Sequence, residues 1–166
     1  MNDAQLLRDC EVDCYRASGP GGQKRNKTSS AVRLRHRPTG LIAQAEEDRS
    51  QHVNKRRALR RLREKIALHV REPVAPDTFE PDETLRSCLT KEGRIRVALR
   101  NERYPLIVCR VLDLLEACEG KVSDVARRLG VPTAELVRFL ARDPKLREQA
   151  NRMRARYGLR PLRSPA

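Results

Sequence analysis

From Ala31 to Arg37 apolar and polar residues alternate with a period of two, so Val32, Leu34 and His36 share one side and Arg33, Arg35 and Arg37 the other. The pattern predicts a half-buried strand with an arginine face. Pro38-Thr39-Gly40 reads as a turn, Pro setting φ and Gly supplying a left-handed residue, and Leu41 to Ala45 returns as the partner strand. Upstream, Val12 to Arg16 is a candidate short strand. From Ser50 to Val70 the period turns helical, with Leu59, Leu62, Ile66 and Val70 on one stripe and Lys55, Arg56, Arg57, Arg60, Arg61, Arg63 and Lys65 over most of the remaining surface. A solvated face normally mixes signs, and here only Glu64 interrupts the cations, which suits a helix facing a polyphosphate.

The second half reads as all-α. Leu106 to Cys118 is densely apolar and follows Pro105, a favourable first-turn residue, so it is expected to be a buried central helix. Ser123 to Leu140 reads as helix, glycine turn at Gly130, and a second helix capped by Thr133, with Ala126, Gly130 and Val131 where a helix-turn-helix needs small or turn-compatible residues. An ordinary helical hairpin fits the same residues equally well. A third, basic helix is expected from Pro144 to Tyr157, and Arg160 to Ala166 as a loose basic tail. Pro73 to Glu83 holds three prolines and no helical period, which reads as an extended linker. The expected fold is α+β: residues 1–72 a small mixed sheet with a glycine-rich loop and one long basic helix, 73–84 an acidic proline-rich linker, and 85–166 a helix-turn-helix-like module.

The 166 residues are enough for one domain or two small ones, and 36 Lys and Arg stand against 22 Asp and Glu, a net charge of +14. The charge is uneven: −3 over residues 1–15, +12 over 16–71, −3 over 72–119 and +8 over 120–166. Arg far outnumbers Lys, and the planar guanidinium fork suits phosphate, so an extended polyanion is the expected partner. With two Phe, three Tyr and no Trp, backbone and shape contacts are expected to dominate over base stacking. No long apolar run or signal-like segment appears, which predicts a cytoplasmic chain with no membrane partner, expected to be monomeric. Five cysteines, Cys10, Cys14, Cys88, Cys109 and Cys118, argue for free thiols. Cys10, Cys14 and His36 lack the paired spacing of a metal site, so neither metal nor cofactor is expected.

Ser18 to Lys27 reads Ser-Gly-Pro-Gly-Gly-Gln-Lys-Arg-Asn-Lys. Two adjacent glycines disfavour both helix and strand, and without a Cβ the backbone at Gly21 and Gly22 is free to take positive φ and approach a ligand closely. That leaves the N–H and amide of Gln23 to do chemistry. An isolated Gly-Gly-Gln is also compatible with a plain turn.

The wider pattern decides between them. Ser18-Gly19-Pro20-Gly21-Gly22-Gln23, Asn26-Lys27, Ser30, Val32-Arg33, Pro38-Thr39-Gly40, Arg49-Ser50-Gln51, Asn54-Lys55 and Ala58 follow the order and spacing of the catalytic domain of class I peptide chain release factors and their codon-independent ribosome-rescue relatives. The chain resembles that family over roughly residues 11–70. The resemblance implies peptidyl-tRNA hydrolysis in the large-subunit peptidyl transferase centre, with Gly21, Gly22 and Gln23 as the catalytic tripeptide. Lys24-Arg25 departs from the apolar or uncharged pair more usual there; added positive charge is compatible with an RNA-lined site.

No Ser-His-Asp arrangement is legible, so a protein nucleophile is not indicated. In a site built from ribosomal RNA and the tRNA 3′ end, the Gln23 N–H would act as an oxyanion-type donor, worth on the order of 3 to 4 kcal/mol in comparable enzymes. The expected partners are large-subunit ribosomal RNA and peptidyl-tRNA. RNA contacts are expected from Lys24, Arg25, Lys27, Arg33, Arg35, Arg37, Arg49, Lys55, Arg56 and Arg60, and in the second module from Arg127, Arg128 and Arg138. The chain begins shortly before the glycines, leaving stop-codon reading without a domain, and this narrows the expectation to release from stalled ribosomes. Two other classes stay open: a non-catalytic ribosomal RNA-binding or assembly protein, and a helix-turn-helix DNA-binding regulator, disfavoured because most positive charge lies in the first module.

Overall fold

Strand β2 (Ala31–His36) keeps the alternation of its sequence: Val32 and Leu34 are fully buried, His36 nearly so, and the arginines between them are exposed. It lies between β1 (Cys10–Tyr15) and β3 (Ile42–Ala45) in a three-stranded sheet of order β1-β2-β3. Both pairings are antiparallel, so the sheet is antiparallel throughout rather than mixed. The computed structural model describes residues 3–16 and 29–163. Ten elements are seen: α1 (Asp3–Arg8), the three strands, α2 (Gln51–His69), α3 (Glu83–Arg86), α4 (Tyr104–Ala117), α5 (Val122–Leu129), α6 (Thr133–Ala141) and α7 (Pro144–Arg156).

The chain divides into two units, Met1–Ile66 and Ala67–Ala166. In the first, Leu6 of α1, Val32 and Leu34 of β2, Ala43 and Ala45 of β3, and Ala58, Leu59 and Leu62 of α2 form one apolar cluster. Full burial of Leu6, Leu34 and Leu62 stabilises the unit by roughly 1.5–3 kcal/mol each. The β2–β3 turn closes through Gly40 N–H to His36 O at 2.8 Å and His36 N–H to Leu41 O at 2.9 Å.

The second unit is built around α4, whose Ile107, Val108, Val111, Leu112, Leu114 and Leu115 are buried. Val125 and Leu129 of α5, Leu136, Phe139 and Leu140 of α6, and Leu146, Ala150 and Met153 of α7 complete this core. Gly130 ends α5 at φ +68°, a left-handed position where a Cβ is disfavoured, and its cap N–H bonds close the last turn. The α6 N-cap is Pro132, extended at φ −61° and ψ 142°, and Thr133 is the first helical residue rather than the cap.

The division between the two compact units falls inside α2, after Ile66. Two expectations need correction here. The proline-rich segment has no free-linker character, because Val74 and Phe79 pack on the second core and Arg128 donates to Pro76 O at 2.5 Å and to Asp77 at 2.9 Å. The stretch from Arg160 is not loose up to residue 163: Arg154 donates to the Arg160 carbonyl, the Leu162 N–H bonds Asn151 Oδ1 at 2.8 Å, and the Leu162 side chain is buried. Among the described residues no helix is long and apolar enough to cross a membrane.

Candidate ribosomal RNA interface

Strands β1 and β2 stay in register up to the pair Tyr15–Ala31, so the chain leaves the sheet and rejoins it at neighbouring points. Gly21, Gly22, Gln23, Lys24, Arg25 and Lys27 fall between those points and lie outside the described residues. The start of the strand that follows them is described. Asn54, fully buried on α2, donates Nδ2–H to the carbonyls of Ser30 and Asp48, both at 2.8 Å, and its Oδ1 accepts the Asp48 N–H at 3.0 Å. One side chain thus ties the start of β2 and the loop before α2 to the helix. No role for it follows from hydrophobic pattern alone. The available signal is a polar residue at i, i+4 and i+8 spacing with Ala58 and Leu62, where an apolar one is expected.

Arg63 of α2 pairs with Asp3 of α1, and the other cations of the helix sort into two groups. Arg57, Arg61 and Lys65, four residues apart, are turned to the first unit: Arg57 pairs with Asp48 at 3.3 Å, Arg61 bonds Glu47 and the Gln44 carbonyl, and Lys65 bonds the Ile42 carbonyl at 2.6 Å. The bond from Arg61 holds the Glu47 carboxyl below the usual carboxylate range. Arg56 and Arg60, also four apart, are exposed, as are Arg49 and His52. Among the described residues Arg49, Lys55 and Arg56 make no ion pair, and Arg60 has only Glu64 at 3.8 Å; Lys55 is half-buried. His52 extends the same stripe one turn toward the helix start, a helical spacing that could have revealed it.

The β2 arginines are less available. Arg33 pairs with Asp13 at 2.6 Å and lies over the Tyr15 ring at 6.0 Å, Arg35 lies 3.9 Å from Glu11, and Arg37 donates to the Arg8 carbonyl. Exposed pairs of this kind are weak. In the second unit Arg127 pairs with Asp124 and Arg138 with Glu135. Arg128 bonds the Pro76 carbonyl at 2.5 Å and Asp77 at 2.9 Å.

Among the described residues no cluster could hold a metal ion. Buried His36 shares a 2.8 Å hydrogen bond between Nδ1 and Thr39 Oγ1, which fastens the β2–β3 turn. The described surface thus presents Arg49, Arg56 and Arg60 as exposed cations at the start of α2 and on its outer face.

The family model described as RF-1 domain matches residues 6–103. Peptide chain release factor 1 of Erythrobacter litoralis is 51% identical over 134 residues, covering 81% of this chain and 32% of the relative. Peptide chain release factor 1 of Leptothrix cholodnii is 43% identical over 105 residues, 63% of this chain and 27% of the relative. Peptide chain release factor 2 of Buchnera aphidicola is 58% identical over 59 residues, 36% and 16% respectively. The chain spans about a third or less of the length of these relatives.

Proposed function

The chain belongs to the RF-1 domain family, and on that premise we propose that it is a ribosome-dependent hydrolase that cleaves the ester bond of peptidyl-tRNA in the large-subunit peptidyl transferase centre. The observation that carries the reading is the Asn54 clamp at the start of β2, the strand that follows Gly21-Gly22-Gln23 in the chain: buried hydrogen bonds to Ser30 and Asp48 fix that strand start to α2. Ribosomal RNA and the tRNA 3′ end supply the rest of the site. Water attacks the ester carbonyl, and the Gln23 N–H donates to the charge that develops on the tetrahedral intermediate or the departing ribose oxygen. Gly21 and Gly22 let the backbone approach closely enough for that N–H to be aimed. Lys24, Arg25 and Lys27, with Arg49, Arg56 and Arg60, neutralise the surrounding phosphates.

The proposal extends to release without stop-codon reading, by a monomer acting on stalled ribosomes. Its support is the kind of contact available: unpaired arginines bind phosphates in register but read no base sequence. The test is release of labelled peptide from ribosomes stalled on an mRNA with no stop codon, on ribosomes holding one, and from free peptidyl-tRNA. Equal release in the first two and none from the third is expected. Release only with a stop codon removes the rescue reading, and robust hydrolysis of free peptidyl-tRNA reveals a base or nucleophile in the chain itself.

A further inference from the structure

Residues 88–100 combine a short antiparallel ribbon with a row of cations that the chemistry above leaves unused. Leu89 and Ile95 pair across a turn in which Gly93 has φ +70°, and the ribbon is closed by Thr90 N–H to Arg94 O at 2.9 Å and Arg96 N–H to Cys88 O at 2.8 Å. Ile95 and Val97 are buried while Arg94, Arg96 and Ala98 are exposed. A period of two therefore sets both guanidinium groups on one outward face, with Cα atoms about 7 Å apart. Lys91 at the turn and Arg100 at the far end are exposed as well. Among the described residues none of these four makes an ion pair. Glu92, the carboxylate in the turn, is held below the usual carboxylate range, chiefly by the Thr90 side chain and to a lesser extent by the charges of Arg96 and Arg94.

The surface continues past the ribbon. Glu135 at the start of α6 accepts the Ile95 N–H at 3.3 Å, and the Tyr104 hydroxyl donates to Asp143 at 3.4 Å, bringing together the starts of α4 and α7. Arg142 and Lys145 flank Asp143, are exposed, and make no ion pair among the described residues. The α5–α6 pair offers much less: Arg127, Arg128 and Arg138 each hold a carboxylate, and Glu135 stands in the first turn of α6. Regular, unpaired arginines with a buried apolar backing match a phosphate backbone, which presents charge at repeating short intervals and takes the guanidinium fork bidentately.

We propose that the ribbon bearing Lys91, Arg94, Arg96 and Arg100, bordered by Arg142 and Lys145, is the surface by which the second unit docks on the phosphate backbone of a ribosomal RNA helix. This rests on the reading of the chain as a ribosome-bound factor. The helix-turn-helix-like pair is then a buttress behind the ribbon.

The test measures binding of the full chain to purified large ribosomal subunits between about 50 and about 200 mM salt. Changing Arg94, Arg96 and Arg100 together to Gln is expected to lower the slope of log affinity against log salt by about 2 to 3 and to weaken binding at least tenfold. The triple Lys variant should recover most of the slope, since a point charge still displaces counterions. A parallel Arg152→Ala chain, at an exposed arginine paired with Glu148, should keep the wild-type slope. A second triple set, to Ala, guards against a Gln variant that fails to fold, with circular dichroism to establish that either is native. An unchanged slope in folded triple variants overturns the proposal. So does an affinity that falls with no change of slope, which marks a protein contact instead. A wild-type chain that binds with the expected slope yet releases no peptide removes the hydrolase reading and leaves this surface standing; release accompanied by an unchanged slope does the reverse.

Discussion

Asn54 and Ser30 meet at 2.8 Å, the buried amide of the helix donating to the backbone carbonyl that immediately precedes β2. Asp48 is held by the same side chain through both its N–H and its C=O. Replacing Asn54 with Ala removes the partner of three backbone groups at once, and each buried group left unsatisfied costs about 1–3 kcal/mol. Asn54→Asp keeps an acceptor for the Asp48 N–H but sets a buried carboxylate oxygen against the Ser30 and Asp48 carbonyls, and it should cost at least as much as Ala. Denaturant unfolding of the full chain reads the loss, and peptide release should decline with it as the loop base loosens. An unfolding midpoint equal to wild type for Asn54→Ala would show that the clamp contributes nothing.

Backbone and side chain make opposite predictions at the tripeptide. If the Gln23 N–H is the donor, Gln23→Ala leaves it in place and weakens release only modestly, while Gly22→Ala displaces it and lowers release by about 10²–10³-fold, the cost of losing an oxyanion donor. Single-turnover release from stalled ribosomes separates the two. Equal rates for Gly22→Ala and wild type would remove the catalytic assignment.

The sequence made β2, β3, α2 and the four larger helices of the second unit legible because each buries a face long enough for its period to show, as with Val32, Leu34 and His36 or the dense run from Ile107 to Leu115. Helix α1 escaped because its six residues offer only Leu6 and Leu7 to the core; it is held by packing rather than by any local signal. The cations of the 88–100 ribbon escaped for a different reason. Summed over residues 72–119 the charge is −3, since acids at both ends of that window cancel the arginines in its middle. The strap on the proline-rich segment joins residues about fifty positions apart in the chain, a separation at which no local pattern carries information. The tripeptide itself was legible only through motif and spacing.

Arg128 and the segment it straps give a prediction about proteolysis. Its guanidinium bonds the Pro76 carbonyl, Asp77 and, at 3.4 Å, the Asp124 carbonyl of its own helix. Asp77 is largely exposed, so the ion pair itself adds little; the bond to the Pro76 carbonyl and the packing of Val74 and Phe79 hold the segment. Arg128→Ala should therefore lower global stability by only about 1 kcal/mol while opening residues 73–82 locally. Limited proteolysis is the measurement: cleavage in that segment should accelerate several-fold in the variant. Wild-type cleavage rates would mean that the apolar packing suffices without the strap.

Asp113 gives a prediction in pH. Its carboxyl is wholly buried in α4 and accepts from Arg71 Nη1 at 2.9 Å, the Glu72 N–H at 3.1 Å and the Cys109 thiol at 3.4 Å. Burial pushes it above the usual carboxylate range, outweighing the downward pull of the Glu72 N–H and Arg71, and burial with the adjacent carboxylate pushes the Cys109 thiol up to about 11. A carboxyl that holds its proton more tightly when folded contributes stability below its unfolded value, about 3.9, and loses it as pH rises through the folded one. The stability of the wild-type chain relative to Asp113→Asn, which does not titrate, should therefore decline from about pH 3.5 toward neutrality. Arg71→Ala leaves the carboxylate buried without its counter-charge and should cost about 3–5 kcal/mol at neutral pH. Denaturant unfolding across that pH range tests both. If wild type instead gains on Asp113→Asn as pH rises, the Arg71 pairing outweighs burial and the sign assigned to this cluster is wrong.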